Sequence, residues 1–411
     1  MPRIRTAGLA LAAVVAVLVS ACTGPSDGMA GGGGGPEPSA GRVIGEAAST
    51  TRAAKLRSDL SYLLEEHVQL VALATRTTLR GPGGASSPAA RAVLATLDVN
   101  SVAVSEVIGQ PYPTLESPVL AAWRQHVGFF LDYAKAKAER SERGVAQARS
   151  DLDGFRTAFG LLINSVIVGL PSAAVADELK PHVDALLKTI DAQVAGEPRQ
   201  FELLRSAAGH MQSTAALLAG GMASDLKLSK TETPAADLRA GLTALMTRHV
   251  YALWMAIDAD QAQRGAVTDP LAASALDAVD DTSVALSEAV GSVYPDAKQP
   301  FLVSWRRHVG YPLEYASALA SGGAADAARV RKDLRAYPRD FGQLVNAIVT
   351  DLPAATVTSQ LEPVVTDLLA AIDAHVAGRP DAITRLRVAA SRMPETAATI
   401  AAGIAQHKKL S

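Results

Sequence analysis

The chain of 411 residues contains a single cysteine, Cys22. Without a second thiol no disulfide can close within it, and zinc-thiolate sites or iron-sulfur clusters have no ligands. Aromatic residues are few, at 4%, and 39 basic side chains are balanced by 41 acidic ones, for a formal net charge of −2. That balance offers nucleic acid no cationic surface. Long apolar runs are scarce beyond the N-terminus. The longest, Leu161 to Leu170, is interrupted by Asn164 and Ser165 and falls short of a membrane span. A Gly-x-Ser-x-Gly elbow, a phosphate-cradling loop and a dinucleotide fingerprint are missing too, which leaves no support for a hydrolase or a nucleotide enzyme.

What is present begins at the start of the chain. Arg3 and Arg5 precede the apolar run Ala7 to Val19, followed by the small residues Ser20 and Ala21. This is the order of a secretory signal, and the run is too short to span a membrane. Val19-Ser20-Ala21-Cys22 resembles the lipobox of bacterial lipoproteins. The resemblance implies that residues 1–21 are removed, that Cys22 is lipidated, and that the lipid anchors the chain on the outer face of the cytoplasmic membrane. Residues 22–54, rich in Gly, Pro and Ser, read as a flexible tether.

The remainder repeats itself. Leu56-Arg57 through His67-Val68 match Leu238-Arg239 through His249-Val250, and Trp123, His126 and Tyr133 match Trp305, His308 and Tyr315. Leu170-Pro171 matches Leu352-Pro353, Pro181 matches Pro363, and Ile190-Asp191-Ala192 matches Ile372-Asp373-Ala374. Every pair is 182 positions apart, the signature of tandem duplication. The copies are placed at residues 55–226 and 235–408, joined by a connector from Gly220 to Pro234.

Each copy is expected to be an all-α bundle of about six helices. Abundant alanine within a 48% hydrophobic composition suits close helix packing. Around His67 the apolar residues Leu60, Leu63, Leu64, Leu70 and Val71 keep helical spacing, as do Val119, Trp123, Phe130 and Tyr133 around His126. In the first copy the helices are placed near 55–79, 88–110, 117–140, 145–169, 173–195 and 199–219. Ser87-Pro88 and Ser117-Pro118 carry helix-start chemistry, whereas Gly109, Gly196 and Gly220 mark ends.

The histidines are the residues that could carry chemistry. His67 and His126 recur as His249 and His308, but His182 and His210 face Val364 and Arg392 in the second copy. Asp98 and Glu106 recur as Asp280 and Glu288, and the spacing of Leu94, Ala95 and Val102 around Asp98 points it inward. An imidazole or carboxylate removed from water without a partner costs several kcal/mol, so several on inward faces should meet one another, a ligand or a metal. His67, His126, His182 and His210 with Asp98 or Glu106 form a nitrogen and oxygen set suited to zinc, copper or iron. Met211, Met246 and Met393 could add thioethers suited to copper. Paired His and Asp groups that only fix helix register explain the same residues without a metal. Trp123, Trp305, Tyr133 and Tyr315 read as core packing or as a stacking wall for a small ligand, and Asn164 and Asn346 as further buried polar groups.

Glu66-His67-Val68 on the first helix, Asp98 and Asn100 on the second, Trp123 to His126 on the third, Leu179-Lys180-Pro181-His182 on the fifth and His210-Met211 on the sixth together resemble an uncharacterised family of helical proteins of Gram-positive bacteria. The likeness covers most of the first copy, and the second departs from it at Val364 and Arg392. It implies a helical bundle with a metal or ligand pocket and names no reaction. Three readings remain open: a lipid-anchored binding protein holding copper, iron or zinc; a metal-free scaffold for an envelope protein partner; and a metal-dependent oxidase. The first requires histidines converging in the first copy. The second requires separate polar pairs in both copies, and the third an open coordination position reached from solvent.

Overall fold

The computed structural model describes residues 45–80, 83–262 and 269–411. The expected signal sequence, Cys22 and residues 23–44 of the expected tether lie outside them. The periodicity is realised as an all-α structure, with no strand among the described residues. In chain order the helices are α1 Glu46–Ser49, α2 Arg52–Arg80, α3 Pro88–Gly109, α4 Pro113–Ala138, α5 Glu142–Asn164, α6 Ser172–Ala195 and α7 Gln200–Asp225. They continue as α8 Pro234–Ala262, α9 Pro270–Val293, α10 Lys298–Ala320, α11 Ala324–Ile348, α12 Ala354–Val376, α13 Ala382–Ala390 and α14 Met393–Lys408. The 182-residue interval reappears in the starting residues of α2 and α8, α3 and α9, α5 and α11, α6 and α12, and α7 and α13.

Local chemistry sets the helix starts. The Ser87 hydroxyl accepts from the Ala90 amide at 3.1 Å, and the Asp269 carboxylate accepts from the Leu271 and Ala272 amides. Proline follows both caps at the first helical position, where its missing N–H has no helical partner to lose. Several boundaries differ from expectation, and α5 ends at Asn164, short of the expected 169. Helix α4 begins at Pro113, so Pro118 lies inside it; Tyr112-Pro113 supplies an earlier start, and Pro118 forfeits a single backbone hydrogen bond. Helix α7 runs through Gly220 to Asp225, and a Cβ on the adjacent Gly221 would sit 3.0 Å from the Leu170 side chain. Gly221 thus serves close packing and not a helix end, and the connector shortens to residues 226–233. Residues 45–54 of the expected tether are folded, with α1 against α14 and the Gly45 amide donating to the Leu410 carbonyl at 2.7 Å.

Two helices are central. Nearly every residue of α2 from Leu60 to Arg76 is buried whatever its side chain, and α8 is buried in the same way. A helix apolar around most of its circumference must be covered on all sides. Helices α3, α4, α6 and α7 pack around α2, while α9, α10 and α14 pack around α8. The two central helices also pack on each other. Arg57 meets Asp237, Ser58 meets Thr243, Glu65 meets Arg248 and Arg76 meets Asp258. Both numberings rise together, so the helices run parallel and nearly in register. Apolar side chains from both halves join one continuous core.

Among the described residues one helix, α3, is long and apolar enough to cross a membrane, with a mean hydropathy of 1.4. Half of that stretch is buried inside the bundle.

Candidate metal centre

His67 projects from the middle of α2, His126 from α4 and His182 from α6. One ring nitrogen from each lies within 4.8 Å of those of the other two, and all three residues are buried, none more than 2% exposed. The Nε2 atoms of His67 and His126 are 3.1 Å apart. Two nitrogens bound tetrahedrally at the 2.0–2.1 Å typical of zinc-like ions sit about 3.3 Å apart. The gap therefore accepts either a proton shared between two imidazoles or one ion held by both.

The walls are apolar. The His126 ring stacks on Phe155 at 4.4 Å, Trp123 lies 5.0 Å from His67 and 4.6 Å from His126, and Phe130 meets His182 edge-on. Burial dominates the electrostatics. Desolvation lowers His126 to about 3, with the Trp123 and Ala122 carbonyls pulling weakly the other way. Desolvation likewise lowers His182 to about 3, aided by His126 and His210, and pushes His67 well down, aided by His126 and His182. All three are neutral imidazoles at neutral pH, the form that ligates metals. The buried Nδ1 atoms of His67 and His182, and Trp123 Nε1, have no hydrogen-bond partner, and neither do His249 Nε2 and His308 Nδ1 in the second half. Orphaned polar atoms of this kind are uncommon in a protein interior.

Three of the six expected first-copy residues thus converge, and three do not. Asp98 lies on the outer face of α3, half exposed, in a bidentate pair with Arg124. The buried stripe of α3 is Val93, Leu97, Asn100, Ser101 and Val104, displaced from the margin formed by Leu94, Ala95 and Val102. Glu106 is exposed on the same helix. His210 turns to Glu178, its Nε2 3.1 Å from the backbone carbonyl and 3.3 Å from the carboxylate. Asn164 is not a buried core group: it closes the end of α5, donating to the Leu170 carbonyl at 3.0 Å, and Asn346 does the same to Leu352 at 2.9 Å.

The second half is built differently at the matching place. His249 accepts or donates at Thr282 Oγ1, 2.9 Å from its Nδ1, and its ring lies 6.0 Å from that of His308. His308 stacks on Tyr337 at 4.0 Å. Val364 replaces the third imidazole, and a cavity of about 40 Å³ remains among His249, His308, Val364, Met246 and Met393. Asp280 pairs with Arg306 at the surface, and Glu288 lies near Lys298. Among the described residues no other group of three metal-capable side chains assembles. Trp305 packs in the core on His249, His308, Phe301 and Phe341, while the Tyr133 and Tyr315 hydroxyls donate to Asp191 and Asp373.

Sequence reasoning overlooked the polar seam between α2 and α8. Glu66, fully buried, accepts from Tyr62, Asn100, Tyr251 and Arg387, and Glu65 takes a bidentate pair from Arg248. Two adjacent acids inside an otherwise apolar stretch, with Arg248 at the position matching Glu66, were the available signal. Comparison with protein-family models, with curated proteins and with solved structures finds no match.

Proposed function

We propose that this chain is an extracytoplasmic, lipid-anchored binding protein that holds one transition-metal ion in its first half through His67, His126 and His182. The observation that carries the metal reading is the convergence of three buried, neutral imidazoles with no carboxylate among them. The anchor rests on Arg3, Arg5, the apolar run and the lipobox-like Val19 to Cys22. The matching pair in the second half lacks a third imidazole, so one ion per chain is expected. Triad residues at most 2% exposed leave no open path for a substrate, which weighs against an oxidase.

Metal content measured by mass spectrometry on the chain purified without a histidine tag tests the site. One equivalent that disappears in His67→Ala and His182→Ala, and survives in His249→Ala, is the expected result. No metal after loading with copper, zinc, iron and manganese would leave the histidines as core polar groups of an interaction scaffold. Labelling with a radioactive fatty acid, present in the wild type and absent in Cys22→Ala, tests the anchor.

A further inference from the structure

We infer that the ion suited to the triad is monovalent copper, Cu(I), in preference to zinc or another divalent cation; the inference rests on the triad being a metal site at all. The donor set contributes no negative charge. Asp98 and Glu106, the acids that could have supplied it, are on the surface, and His210 is turned to Glu178. The buried carboxylates nearest in sequence, Glu65 and Glu66, are each already matched by an arginine. An ion at this position therefore keeps its full charge inside an apolar wall of Trp123, Phe130 and Phe155. The cost of burying a charge rises as its square, so a divalent ion is penalised about fourfold more than a monovalent one. Coordination number points the same way. Divalent zinc takes four ligands and fills the fourth place with water when the protein gives three. Residues so thoroughly buried in aromatic surroundings offer that water no access. Cu(I), a closed-shell soft ion, is satisfied by two or three nitrogen donors.

The full chain, purified in detergent under nitrogen, is loaded with Cu(I) and desalted, with and without a tenfold excess of Zn(II). One Cu(I) per chain, unchanged by zinc and showing an X-ray absorption edge of three-coordinate Cu(I) with nitrogen ligands, is the expected result. His182→Val, which installs the residue of the second half, and His126→Gln should each lose it while keeping the wild-type helical circular dichroism. Stoichiometric zinc that displaces copper, and is lost in the same variants, would overturn the choice of Cu(I) and leave the metal site standing. Failure to retain any ion, or copper retained in both variants, would overturn both.

Discussion

Acidification should weaken the metal-free protein steeply, and His182→Val should relieve part of that loss. Burial holds His126, His182, His249 and His308 at about 3, against about 6.5 for an imidazole in the unfolded chain. Because the folded values are the lower ones, the unfolded state binds more protons between those limits. Stability therefore rises with pH from about 3 to about 6.5 and is level above. At pH 7.5 these groups contribute no pH dependence. One unit below the unfolded value, at pH 5.5, each disfavours folding by about 1.4 kcal/mol, and the four together by about 6 kcal/mol. That is comparable with the 5–15 kcal/mol stability of an ordinary domain. His67 acts in the same direction. Urea titrations at pH 7.5 and 5.5, in chelator, give the acid-induced loss for wild type and His182→Val. The variant should lose about 1.4 kcal/mol less, whatever its stability at pH 7.5. An equal loss in both proteins would show that His182 is protonated in the folded state, and the sealed, neutral triad would be refuted.

Three further outcomes follow from the packing. Arg387→Met leaves Glu66 buried at zero exposure with one cation fewer, and should cost about 3–5 kcal/mol in denaturant unfolding. Gly160→Ala drives a methyl group into the Ser172 carbonyl where α5 meets α6, and should cost about 1–3 kcal/mol, whereas Gly154→Ala in the same helix meets nothing within 4 Å and should stabilise by up to about 1 kcal/mol. Asp98→Asn removes an exposed ion pair, so it should change stability by no more than about 1 kcal/mol and leave the metal content of the loaded protein unaltered.

The sequence made the helices legible because their apolar spacing, proline starts and glycine ends are local signals. It made His67, His126 and His182 legible because each sits in a strongly apolar helical stripe. Asp98 was misplaced for a reason of degree: Leu94 and Val102 are apolar but lie at the half-buried margin of α3 and Ala95 is exposed, while a stripe one position away carries the core. His210 lies on a similar margin, and its distance from the triad depends on how α7 is rotated against α6, which spacing within one helix does not encode. The seam was hidden because Glu65, Glu66, Arg248 and Arg387 acquire meaning only once distant segments meet.

That seam also bears on how the molecule unfolds. Residues 45–225 taken alone would expose the face of α2 that meets α8, and Glu65 and Glu66 would lose Arg248 and Arg387. Matching positions on the central helices carry opposite charges, Glu66 against Arg248 and Arg76 against Asp258, and Arg76 and Asp258 pair directly. Two identical first halves would set arginine against arginine there. Each half is thus complementary to the other and not to itself, so the chain from Gly45 to Ser411 should melt as a single cooperative unit. An ion bound at the triad would then steady the second half, which holds none of its ligands.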